Sequence, residues 1–198
     1  DMVLADDNFA TIVAAVGEGR RIYDNIRNAI QFLLGSNLSE VVSIFFATIM
    51  NFTILRAPHL LFINLVTDCF PALALGLEKP EENIMRRKPR SKNDGVFAGG
   101  LGFDCAYQGI IVSVLTIIAF YIGEYLETGH LVLRNIADSG EGMTMAFFTM
   151  AMCEIFHSFN MRSQRGSAVA MVFKGHHNIA LYGAMVGSFL LTTAVVEI

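Results

Sequence analysis

Lysine and arginine are missing from every long apolar run of this 198-residue chain. There are five such runs, roughly Ile30–Asn51, His59–Leu77, Gly100–Gly123, Gly142–Met161 and Ile179–Val196. An acid inside one of them therefore has no cation in the runs to neutralise it. Cysteine is scarce as well. Cys69, Cys105 and Cys153 all fall within runs and have no metal-ligand spacing, so they read as small apolar packing groups. No basic stripe with interleaved aromatics is present, which argues against a nucleic-acid partner. The first 25 residues are polar and mixed and do not resemble a cleavable signal peptide. The chain has no internal repeat and no low-complexity tract.

What remains is strongly apolar. Hydrophobic residues make up 54% of the chain and the mean hydropathy is +0.51. Because this apolarity sits in long runs rather than alternating patterns, the fold class is an α-helical, polytopic transmembrane bundle of about five spans. Of the 14 basic residues, all but Arg56 and Arg134 fall in connections on one side. That side holds Arg20, Arg21, Arg27, Lys79, Arg86, Arg87, Lys88, Arg90, Lys92, Arg162, Arg165 and Lys174. The positive-inside rule makes it cytoplasmic, with the N-terminus inside and the C-terminus outside. Asn51–Pro58 is then a short external hairpin, Glu78–Phe97 a charged inner loop, Glu124–Glu141 an acidic outer loop and Arg162–His177 a basic inner loop.

The opening segment is not a span. Met2–Ala5 reads as a short strand, and Asp6, Asp7 and Asn8 as turn and N-cap residues. Phe9 to about Val16 reads as a helix with Phe9, Ile12, Val13 and Val16 on one face. One strand and one helix bury no core of their own. Residues 1–25 are thus expected to be a βα remnant of a cytosolic α/β domain, and residues 26–198 a transmembrane cation-transport domain. From Gly19 the helical spacing runs without proline into the first span, which predicts one continuous helix out of the cytosolic part.

The chemistry lies in the first two runs. Asn64, Thr67 and Asp68 form a polar stripe near the middle of the second, and Asn37 and Glu40, flanked by Ser36 and Ser43, form another in the first. Antiparallel neighbours joined by a short hairpin pack side by side, so the stripes are expected to face each other. Pro71 lacks an N–H, which leaves the Thr67 carbonyl without its helical partner. Carboxylates, amides, a hydroxyl and a free carbonyl are hard oxygen donors of the kind a dehydrated calcium-like cation takes. Two buried carboxylates without a basic partner require protons or a cation. Asp104 and Gln108 read as capping or interfacial residues, and Glu154 and His157 as an interfacial pair.

The residues then acquire a family. DMVLADDNFATIVAAVGEGRRIYDNI resembles the end of the phosphorylation domain of P-type ATPases, SNLSEVV their fifth membrane helix and INLVTDCFPALALG their sixth. IMRRKPR also matches, and the membrane motifs resemble the calcium-pump branch. The resemblance implies an ATP-driven pump in which Asn37, Glu40, Asn64, Thr67 and Asp68 are metal ligands, with Asp68 central. It implies that the chain is a C-terminal fragment covering membrane helices five to nine, with Mg2+ and ATP bound by the missing part. No catalytic aspartate lies in this chain, so alone it is expected to be inactive. The expected partners are the lipid bilayer, the calcium ion and the remainder of the same polypeptide, in the plasma membrane of a prokaryote.

One departure matters. Two-site pumps carry Thr-x-Glu-x-Cys in the eighth helix, whereas this chain reads Thr149, Met150, Ala151, Met152, Cys153. One calcium per ATP follows, unless Glu154, one turn onward, supplies the carboxylate. A small secondary cation or proton transporter or channel, and a P-type pump for manganese or sodium, are the competing readings.

Overall fold

The computed structural model describes residues 8–80, 84–89, 95–163, 168–173, 175 and 177–197. Among the described residues there are helices and no strand. The strand expected at Met2–Ala5 and the turn at Asp6 and Asp7 lie outside them, as do Arg90, Lys92, Arg165 and Lys174. Asn8 is an N-cap, its side chain accepting from the Ala10 N–H at 3.0 Å. Helix α1 then runs unbroken over Phe9–Met50, straight through the boundary expected near residue 25. Its 42 residues extend about 63 Å at 1.5 Å per residue, roughly twice a bilayer's hydrocarbon thickness. It ends where Asn51 turns left-handed at φ 59°, a conformation asparagine tolerates better than most side chains.

A short hairpin leads to α2 (Ala57–Phe62), with Pro58 in its first turn. The helix widens into a π segment over Ile63–Asp68 and resumes as α3 (Cys69–Leu75). Pro71 explains the position of the wide turn: the missing N–H interrupts the i→i−4 ladder, and a π turn absorbs the slip. The Val66 carbonyl within this turn accepts from Ser188 of the last helix at 2.9 Å. Next come α4 (Leu101–Thr128), α5 (Gly140–Asn160), the short α6 (Ala168–Phe173) inside the expected inner loop, and α7 (Ile179–Glu197). Helix α4 runs past the expected start of the outer loop at Glu124 and stops at Gly129, whose φ is 72°.

Among the described residues, four stretches are long and apolar enough to cross a membrane: Phe9–Met50, Ala57–Leu75, Ala98–Thr128 and Ile179–Glu197. The fifth expected span, Gly142–Met161, is helical but not apolar enough to join them. It carries Thr144, Thr149, Glu154, His157 and Ser158. It is covered by protein instead, with Met150, Ala151, Glu154 and Ser158 all buried. Small residues allow these close packings. A Cβ on Gly109 would stand 3.0 Å from the Gly35 carbonyl oxygen, where α4 meets α1, and one on Gly123 would stand 2.7 Å from that of Glu141 on α5. The Ser43 and Ser113 hydroxyls join α1 to α4 at 2.9 Å.

The basic end of the bundle is tied by a buried ion pair. Arg162, just after α5, donates to both oxygens of Glu78, just after α3, at 3.0 and 2.8 Å. The two residues are 1% and 2% exposed. Asn178 adds a donor to Glu78 at 2.9 Å, and Asn25 of α1 donates to the Glu78 carbonyl at 2.9 Å. The Glu78 hydrogen bonds raise the Arg162 guanidinium pKa above its already high ordinary value.

Candidate cation site

Helical geometry decides which polar residues of α1 face inward. At 100° per residue, Ser36, Glu40 and Ser43 lie on one stripe with Ser39 beside it. These four are buried. Asn37, one residue past Ser36, is on the adjoining face. It is exposed, and its side chain donates to its own Leu33 carbonyl at 2.7 Å. The two stripes do face each other, but Ser36 rather than Asn37 meets Asp68.

Asp68 sits at the end of the π segment and is 1% exposed. The Ser36 hydroxyl oxygen is 2.9 and 2.8 Å from its two carboxylate oxygens. The same hydroxyl oxygen is 2.5 Å from Glu154 Oε1. Thr67, fully buried, donates to Glu154 Oε2 at 3.0 Å or to the Ile63 carbonyl at 2.9 Å. Two carboxylates from different helices thus converge on one serine hydroxyl. A second, separate group lies toward the other end: the Asn64 amide donates to Glu40 at 3.0 and 3.1 Å. Among the described residues no three His, Cys, Asp or Glu side chains come together as a ready metal cluster.

The expectation for Glu154 and His157 is corrected. Glu154 is 1% exposed and not interfacial, and its partners are Ser36 and Thr67. His157 does not pair with it; its Nε2 is buried without a hydrogen-bond partner among the described residues, and its ring lies 6.0 Å from that of Phe32. Ala151, the position of the missing carboxylate, is fully buried and supplies no side-chain oxygen. Gln108 is half-buried and accepts from Gln31 at 3.3 Å, and Asp104 stands exposed in the first turn of α4.

Apolar plugs close the cluster on both sides. Along α1 the order is Phe32, then Ser36 and Glu40, then Ala47. Along the broken helix it is Ile63, Thr67 and Asp68, then Ala74. Along α5 it is Met150, Glu154, then Met161. The first-named apolar residue of α1 and the last-named of the other two belong to one buried cluster with Leu75 and Leu181. Ala47, Ile63 and Met150 belong to the other, with Phe52 stacked on Phe120 at 4.5 Å. Water is thereby kept away from the carboxylates within this chain, which strengthens any charge interaction there.

Comparison with known proteins gives the family. Residues 52–198 match the family described as cation transporting ATPase, C-terminus. A calcium-transporting ATPase of Bacillus subtilis (strain 168) is 39% identical over 196 residues, 98% of this chain and 21% of that protein. A calcium-transporting ATPase of Listeria monocytogenes is 38% identical over 191 residues, 96% of this chain and 20% of that protein. An endoplasmic reticulum-type calcium-transporting ATPase of Arabidopsis thaliana is 34% identical, covering 100% of this chain and 22% of that protein. The chain spans about a fifth of the length of these relatives. With a helical membrane bundle, a polar break in its second span and the match over residues 52–198, the chain belongs to the C-terminal region of the cation-transporting ATPases.

Proposed function

We propose that this chain is the C-terminal membrane segment of an ATP-driven calcium pump, and that Asp68, Glu154, Thr67 and Ser36 hold one calcium ion per cycle. One observation carries the reading. A serine hydroxyl has a single proton, yet three carboxylate oxygens from two residues lie within 2.9 Å of it. Two bare anions that close in a dry interior repel, so the cluster takes a cation or a proton. Two carboxylates match the charge of one divalent cation. Their four oxygens and two hydroxyls reach the lower end of calcium's usual six to eight ligands. The names of the relatives support calcium as the ion.

Glu40 is already held at both oxygens by Asn64. We assign this pair to the edge of the site, with Glu40 taking a proton in the return step. Asn37, turned to the face of α1 that this chain leaves uncovered and bonded to the Leu33 carbonyl, is left out of this ligand set. ATP and Mg2+ bind outside this chain, which alone is inactive. The basic side of the bundle is cytoplasmic, with the N-terminus of the chain inside, in a prokaryotic plasma membrane.

The test is equilibrium binding of labelled calcium to the complete polypeptide that carries this chain, with manganese and sodium as competitors. One calcium per phosphorylation site is expected, and Asp68→Asn should lose it while phosphorylation by inorganic phosphate survives. Two calcium ions per site would sink the stoichiometry. Unchanged binding in Asp68→Asn would sink the site.

A further inference from the structure

A second site lies at the basic end of the bundle. A groove of about 790 Å³ opens between α1, the loop after α3 and the start of α4, with Arg20, Arg27, Arg87, Lys88 and Asp24 among its walls. Arg87 is matched, its guanidinium 2.7 Å from Asp24. The other three cations are not matched by any acid among the described residues. Arg20 is held instead by main-chain oxygens, donating to the Ile84 and Arg87 carbonyls at 2.8 and 2.9 Å. Arg27 donates to the Ala98 carbonyl, and its Nε is buried without a hydrogen-bond partner among the described residues. Lys88 is exposed at the rim.

Guanidiniums fixed by neutral carbonyls are positioned without being neutralised. A buried N–H of a cation that no atom of the described residues accepts points to a ligand oxygen. Depth identifies its source. Ala98 and Gly99 line the groove, and Ala98 begins a membrane-length stretch, so the groove lies at the level of the lipid headgroups. Ile22 and Ile26, which alternate with Tyr23 and Arg27 on α1, are each 51% exposed, offering apolar surface beside the charges. We infer that this groove binds the phosphate of an anionic phospholipid headgroup, with Arg20, Arg27 and Lys88 as its cationic contacts. Gly99 belongs to the fit: its φ is 77°, and a Cβ there would stand 3.3 Å from Arg27 Nη2.

The experiment uses the complete polypeptide in detergent, with phosphatidylglycerol and phosphatidylcholine as probes and retention read by native mass spectrometry. Phosphatidylglycerol should bind at least about tenfold more tightly than phosphatidylcholine. Arg27→Gln combined with Lys88→Gln should weaken phosphatidylglycerol about 30-fold, the usual effect of two basic residues at a membrane surface, and leave phosphatidylcholine unchanged. Lys88→Glu, at an exposed position, should by itself weaken phosphatidylglycerol and keeps the test decisive if the double variant misfolds. Unaltered phosphatidylglycerol retention in Lys88→Glu or in a folded double variant would overturn the assignment. So would complete displacement of the lipid by millimolar inorganic phosphate, which would identify a soluble anion as the occupant. Calcium binding, read separately, reports on the membrane site and is independent of this outcome.

Discussion

Replacing Ser36 by alanine removes one oxygen and one proton from the point where two carboxylates meet. The hydroxyl oxygen lies 2.9 and 2.8 Å from Asp68 and 2.5 Å from Glu154. Having one proton, it donates to one acid at a time, and its lone pairs are available to a cation. A hydrogen bond to a charged group contributes about 1.5–3 kcal/mol, so losing this one should weaken calcium about tenfold to a hundredfold. Glu154→Gln should weaken it at least as much, since it removes a charge as well as an oxygen. The two changes act on one ion, so together they should cost less than their sum, with a coupling of about 0.5–3 kcal/mol. Ser43→Ala serves as the control. Its hydroxyl bonds Ser113 and not an acid, so the variant should keep its calcium affinity. The assay is the calcium dependence of phosphoenzyme formation from ATP in the complete polypeptide. Wild-type calcium dependence in both Ser36→Ala and Glu154→Gln would refute the argument from the shared hydroxyl. Tighter binding in Ser36→Ala would mean that the serine competes with the ion instead of holding it.

Two further outcomes follow from other parts of the bundle. A cysteine placed at Met85, 45% exposed in the basic loop, should resist membrane-impermeant thiol reagents in right-side-out vesicles. One at Leu131, 62% exposed beyond α4, should label, and the reverse pattern would invert the topology. Arg162→Met should lower stability by about 3–5 kcal/mol, because it strands Glu78 without its guanidinium. Adding Glu78→Gln should recover part of that loss in thermal unfolding. Because the Arg162 pKa is raised on folding, its contribution is full below the unfolded value and declines only as pH passes the folded one. The cost should therefore be constant from about pH 6 to 9, and a cost that vanishes within that window would argue against a charged pair.

Much of the architecture was legible in the order of residues alone. Long apolar runs without cations require helices that cross a bilayer, because lipid offers backbone groups no partner. The unbroken α1 was readable from helical spacing without proline, and an interrupted hydrogen-bond ladder ahead of Pro71 from its missing N–H, whereas the π turn that absorbs the interruption was not. Asp68, Glu40, Asn64 and Thr67 stood out because ionisable and amide groups at mid-span are costly without a use. The separation of Ser36 from Asn37 needed a finer reading of α1. The two lie 100° apart, and the choice between them depends on how the helix is rotated against its neighbour. Spacing ranks Ser36 with Glu40 and Ser43, yet serine in a span is so often mere packing that it attracts little notice. Glu154 was decided by tertiary structure alone. It lies 86 residues from Asp68 in sequence, and only the packing of α5 against the break between α2 and α3 brings its carboxylate to the Ser36 hydroxyl. The same holds for Arg162 and Glu78, each an ordinary loop charge in sequence and each buried by the other in the fold. Local spacing determines which faces of a helix are polar. Which polar faces meet depends on how the helices cross, and that is set by the sum of small contacts at positions such as Gly109 and Gly123.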